Sequence, residues 1–154
     1  MALQMTGSRL LRTDETAAVA AARAVWKAAK MKGLDVGVTF VLDVEMRALN
    51  RHWRKKDKTT DVLSFSAFEG EFVIGDETFL GDLVISVETA AKQARAQNHG
   101  IDVEIAVLVC HGLCHLAGLD HERGELEAEK QLMIEMNWLS CAGVPVSAAL
   151  AGRA

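Results

Sequence analysis

Ile105-Ala-Val-Leu-Val-Cys-His111-Gly-Leu-Cys-His115-Leu-Ala-Gly118-Leu-Asp-His121 joins the longest apolar run of the chain to three of its five histidines. The run, residues 105–119, holds two histidines and two glycines. It is too short and too interrupted to span a bilayer, which takes roughly 20 apolar residues, and it predicts a buried helix that opens near Asp102 and ends near Gly118. His111 and His115 are four apart and so share one helical face. Gly118 is the residue type that most easily leaves a helix in the left-handed conformation. The chain can turn there and bring His121 back to the same point. Three imidazoles with a fourth position left open describe a catalytic zinc site, one Zn²⁺ per chain, rather than a sealed structural one.

The spacing also matches a known zinc pattern. Histidines at relative positions 1, 5 and 11 with glycine at 8 are the metzincin arrangement, but position 112 is Gly where a protease carries its general-base Glu. A metzincin-like metallopeptidase therefore stands as an alternative that lacks its proton shuttle. Another is a non-enzymatic protein whose zinc only holds the fold. Each ligating ring needs a partner for its other nitrogen, and Asp120, Asp61 and Glu88 are the candidates. His52 and His99 fall outside the pattern and are expected at the surface. Cys110, Cys114 and Cys141 form no C-x-x-C pair, so no disulfide framework is implied. Cys110 and Cys114, on the histidine helix, read as buried thiols.

The 154 residues fit one domain, 1–154, with half of them hydrophobic and a quarter charged. Residues 1–12 lack the sustained apolar stretch of a secretory signal, so a cytoplasmic protein with no membrane association is expected. Thr13 and the acids after it precede an Ala-rich helix running to about residue 30. Residues 36–42 are β-branched and predict a strand, and a further one is possible near residues 3–6. Asp43 is placed to cap a helix with Val44, Leu49 and Trp53 on its inner face. Residues 61–68 and 81–87 alternate as strands, with Leu63 and Phe65 on one face of the first and Leu83 and Ile85 on one face of the second. Helices follow at 88–98 and 122–139, the latter with Leu126, Met133, Ile134 and Trp138 as its apolar members. Residues 140–154 are expected to fray. The sum is a single α+β domain: a small mixed sheet of about four strands, about five helices, and the metal site on the most buried helix.

The net charge of −4 is unevenly spread. Arg51, Arg54, Lys55, Lys56 and Lys58 stand against Asp57 alone, with Trp53 among them. Such an island is either a solvated loop or a site for phosphates and a stacked base.

Three segments taken together resemble a known family. Residues 50–65 (Asn50-Arg-His-Trp-Arg54 … Thr60-Asp61-Val-Leu-Ser-Phe65), Leu80-Gly-Asp82-Leu-Val-Ile-Ser86, and the motif from His111 to His121 are similar to the YbeY family of bacterial metallo-endoribonucleases. The resemblance covers roughly residues 36–139. It implies an α+β domain with zinc on His111, His115 and His121, a functionally important Arg54, and hydrolysis of single-stranded RNA rather than DNA. It further implies a role in ribosomal RNA processing, chiefly maturation of the 16S 3′ end, and in ribosome quality control, with the small ribosomal subunit or its assembly factors as partners. Trp53, Lys55, Lys56 and Lys58 would contact the RNA. Thr59 stands where the family commonly has Pro, Trp53 where it has Tyr, and Leu119 where it has Tyr. None of these removes a ligand. With Gly at 112, a neighbouring carboxylate such as Asp120, or hydroxide on the metal, is left to act as base.

Overall fold

The segments rich in β-branched residues pair into one mixed sheet in the order β1-β2-β4-β3. In the computed structural model, residues 3–29, 35–67, 79–118, 124–145 and 147–150 are described. Strands β1 (Leu3–Thr6), β2 (Asp35–Val41) and β4 (Phe79–Ser86) run parallel, and β3 (Val62–Ser66) lies antiparallel along the outer edge of β4. The helices are α1 (Glu15–Ala28), α2 (Asp43–Arg54), α3 (Val87–Ala96), α4 (Ile101–Leu116), α5 (Glu125–Cys141) and α6 (Ser147–Leu150). Among the described residues no single helix is long and apolar enough to cross a membrane. The α+β architecture with a four-stranded mixed sheet matches the expectation.

Alternation along the strands decides what each face of the sheet meets. Val36, Val38, Phe40, Leu83 and Ile85 face the main core, which α1, α3 and α4 complete. Val41, Leu63 and Val84 face the other way and pack with Met46 of α2. Helix α4 is buried along most of its length and lies over β3 and β4. Its approach is close because of Gly112: a Cβ there would lie 2.6 Å from Leu83 Cδ2.

Five local expectations change. A 3-10 helix (Ser8–Asp14) precedes α1, and Thr13 lies inside it rather than capping α1. In α2 the buried residues are Met46 and Asn50, whereas Val44 is 73% exposed and Trp53 57% exposed. In α5 the buried residues are Gln131, Glu135 and Leu139, while Leu126 and Met133 are exposed. His99 is largely covered, with Nε2 2.8 Å from Oε1 of the buried Glu104. The tail expected to fray carries packed structure, since α5 runs to Cys141 and Ala148 of α6 is buried.

The reason α2 turns polar atoms inward lies in the basic loop that follows it. Lys56 N donates to Asn50 O (3.3 Å), and Asn50 Nδ2 donates to Lys58 O (2.9 Å). Asp43 Oδ1 accepts from Ser86 Oγ, from Thr89 Oγ1 (2.6 Å) and from Thr59 Oγ1 (3.2 Å). Asp43 N donates in turn to Glu88 Oε1 (2.8 Å). Asn50 and Asp43 thus tie both ends of the loop to α2 and α3. These bonds satisfy groups that would otherwise be buried unpaired.

Two measurements follow. Gly112→Ala should destabilise the protein by about 1 kcal/mol in urea unfolding, since overpacking costs about 1–3 kcal/mol and outweighs a helix-propensity gain of about 1 kcal/mol. Adding Leu83→Val should recover part of that loss; a neutral Gly112→Ala would show the contact to be loose. Burial raises the Asp43 carboxyl, but the hydroxyls of Ser86, Thr89 and Thr59 outweigh it and hold the carboxyl below its ordinary value. A lowered carboxyl stabilises the fold above the unfolded-state value, and that contribution disappears as pH falls through the folded-state value. Asp43→Asn should therefore flatten the acid limb of stability against pH below about pH 4. An acid limb identical to wild type would show that this cluster does not retain the charge.

Candidate metal centre and basic loop

On α4, with Gly112 turned to the sheet, His115 and His111 stand roughly 60° and 100° around the same flank. Cys110, further round, meets α5 through a contact from its Sγ to Glu135 O. The histidines therefore project from the flank between sheet and α5. Their Nε2 atoms are 3.2 Å apart. Two nitrogens on one tetrahedral metal at about 2.0–2.1 Å would be about 3.4 Å apart, so the pair fits a shared ion.

Behind His111 stands a buried polar pair from α5. Glu135 Oε1 lies 2.9 Å and Gln131 Nε2 3.1 Å from His111 Nδ1. Glu135 is 2% exposed and Gln131 0%. The carboxylate that backs the His111 ring is thus Glu135, and of the expected candidates Asp61 and Glu88 are engaged elsewhere. Asp61 accepts instead from Val62 N (2.7 Å) and Gln93 Nε2 (3.3 Å), and Glu88 accepts from Asp43 N. His121 and Asp120 lie outside the described residues. Among the described residues no group of three metal-ligating side chains occurs, so the structure brings together two of the three expected ligands.

Gly112 takes on a different meaning in this setting. It faces Leu83, not the flank that bears the histidines. A glutamate at 112 would point into the helix–sheet interface, so this packing works against the residue that a peptidase needs there.

The basic loop begins where α2 ends. Lys55 closes the helix at φ 61°, with its N–H donating to Asn50 O. A left-handed residue other than glycine carries roughly 1–2 kcal/mol of strain, so a lysine stands where glycine would fit more easily. Asp57, the one acid of the island, is engaged by Arg47 (Nε–Oδ1 2.9 Å, Nη2–Oδ2 3.2 Å), and the hydrogen bond from that guanidinium holds its carboxyl below the usual range. Lys55, Lys56 and Lys58 are exposed.

Arg54 leaves α2 beside β3. Its Nη2 donates to Ser64 O (2.6 Å), and its guanidinium lies 4.9 Å from the centroid of the Phe65 ring. Trp53 meets Phe65 edge-to-face at 6.2 Å and His52 at 4.7 Å. Arg54 and Trp53 therefore meet at Phe65, and the exposed lysines follow them in the chain. The histidine helix and Arg54 both touch β3, the strand that divides them.

Sequence reading missed Glu135, Gln131, Asn50 and Phe65. For the first two there was a signal: residues 125–141 carry no coherent apolar stripe, which is unusual for a helix packed on a core. Asn50 and Phe65 lay inside the quoted motif but had no chemistry assigned to them.

The model of the family described as endoribonuclease YbeY matches residues 8–140. Relatives of that name include one from Prochlorococcus marinus, 46% identical over 94 residues, which are 60% of this chain and 48% of that protein. Another, from Aquifex aeolicus, is 44% identical over 110 residues, covering 71% of each chain. The match thus spans about half the length of the first relative and more of the second. The solution structure of TM1509 from Thermotoga maritima superposes with a TM-score of 0.55 at 24% identity, over 90% of each chain, and shows a similar fold. The chain belongs to the endoribonuclease YbeY family.

Proposed function

We propose that this protein is a zinc-dependent endoribonuclease that cleaves single-stranded RNA in ribosomal RNA processing, including maturation of the 16S 3′ end, and serves ribosome quality control in the cytoplasm. The observation that carries this reading is the pair of Nε2 atoms 3.2 Å apart, backed by a buried carboxylate, in a chain of this family. His111, His115 and His121 would hold one Zn²⁺. When bound, the metal supplies Lewis-acid polarisation of a phosphoryl oxygen and a water acidic enough to attack near neutral pH.

The chain's own residues do the rest. Arg54 presents a planar guanidinium, suited to clamping a phosphate and offsetting charge that builds on its oxygens. The ring of Phe65 and the carbonyl of Ser64 orient it before any substrate arrives. Lys55, Lys56 and Lys58 attract flanking phosphates. Trp53 offers an exposed indole on which a base can stack. The small ribosomal subunit or its assembly factors would deliver the precursor RNA. A peptidase is disfavoured because Gly112 packs on Leu83.

Arg54→Ala should keep the protein folded, at a cost of about 1 kcal/mol for the lost hydrogen bond and ring contact, and lower single-stranded RNA cleavage about 10²-fold or more, as loss of a transition-state donor does. Unchanged cleavage would remove Arg54 from the reaction. His115→Ala should lose both zinc, measured by metal analysis, and cleavage; a full zinc content would show that the ligand set is wrong. Wild type stripped by a chelator should stay folded by circular dichroism. Unfolding on stripping would favour the alternative of a non-enzymatic ribosome-assembly factor whose zinc only holds the fold.

A further inference from the structure

Two neighbours address one nitrogen of His111, and they want opposite things from it. Glu135, as a carboxylate, only accepts, so at 2.9 Å it calls for a proton on Nδ1. The amide nitrogen of Gln131, at 3.1 Å, only donates and calls for a bare Nδ1. A neutral imidazole carries one proton. Given to Nδ1, it leaves Nε2 bare, facing His115; given to Nε2, it blocks that atom as a ligand. Hydrogen bonds to an ionised acceptor are roughly twice as strong as neutral ones, so Glu135 wins. The oxygen of Gln131 has no hydrogen-bond partner, so it is the donor end of the amide that faces the ring and opposes Glu135.

A second observation points the same way. Helix α5 buries these two polar side chains while Leu126, 81% exposed, and Met133, 71% exposed, face outward. Burying an amide and a carboxylate in place of leucine and methionine works against folding unless both have a task inside.

We propose that Glu135 and Gln131 are positioning residues that set the tautomer of His111. Glu135 selects the Nδ1–H form that can bind metal, and Gln131 makes the choice depend on Glu135. The inference rests on the zinc centre proposed above, but it is tested on binding and tautomer rather than on cleavage.

The experiment has two readouts. Imidazole ¹⁵N shifts of the metal-free full-length protein at mildly alkaline pH, assigned by their loss in His111→Gln, should show the Nδ1–H form in wild type and the Nε2–H form in Glu135→Leu. Zinc affinity, by competition with a chromophoric chelator, should fall about 10–100-fold in Glu135→Leu, the range for loss of such a partner. Gln131→Met alone should change affinity less than about threefold. The double variant should bind zinc more tightly than Glu135→Leu, because the donor that stabilises the wrong tautomer is gone. Leu139→Ala, a core change on the same helix, should destabilise the fold and leave affinity unchanged.

An Nε2–H tautomer in wild type overturns the proposal even if Glu135→Leu does not fold. So does a Glu135→Leu variant that binds zinc like wild type, or a Leu139→Ala variant that loses zinc equally. A wild type that takes up no zinc sinks the metal centre itself, whereas zinc uptake with unaffected variants sinks only the positioning role.

Discussion

The approach of α4 to the sheet at Gly112 and Leu83 is the contact from which the rest of the site follows. A helix that buries most of its surface has little freedom to rotate about its axis, and the missing Cβ at 112 fixes which side goes down. With that side set, the histidines take the flank and Cys110 meets α5. The same contact disfavours glutamate at position 112, so the gap in the metzincin pattern agrees with the packing of α4 on the sheet.

Two helices share a second constraint. Both α2 and α5 turn polar side chains inward, Asp43 and Asn50 in one and Gln131 and Glu135 in the other, while Val44, Trp53, Leu126 and Met133 stay outside. Each inward group bonds a neighbour that belongs to the site or leads to it. Asn50 and Asp43 hold the basic loop; Glu135 and Gln131 attend His111. Local stability is given up at these positions so that charged and ligating groups sit in one place, and the apolar β2, β4 and α4 core compensates.

This pattern explains what could be seen in the sequence and what could not. The strands and α4 were legible because hydrophobic burial alone decides them: the alternation at Leu63 and Phe65, and at Leu83 and Ile85, and the apolar run before His111. The faces of α2 and α5 were not. An inward Asn or Glu is indistinguishable from a solvated one until its partner is known, and those partners, Lys58 O and His111 Nδ1, come from other elements. The ligand spacing was legible because His111 and His115 sit on one helix. The carboxylate behind His111 was not legible, because Glu135 lies 24 residues on, on a helix whose packing against α4 no spacing rule reveals.

Strand β3 brings the two halves of the site within one element. Ser86 N donates to Asp61 O and Ala67 N to Leu80 O, so antiparallel alternation turns the backbone groups of Val62 and Ser64 away from β4, to a side where no strand pairs among the described residues. An open edge invites pairing with another chain. Here Val62 N–H is bonded by Asp61 Oδ1, and Ser64 O by Arg54. Arg54 therefore blunts the edge while its guanidinium lies over Phe65. On the proposed reading, one carbonyl orients the phosphate clamp, and the clamp protects the strand that separates it from the histidine helix. The position asks for a planar, multiply donating cation. Lysine would keep the charge but lose the geometry on which both tasks depend.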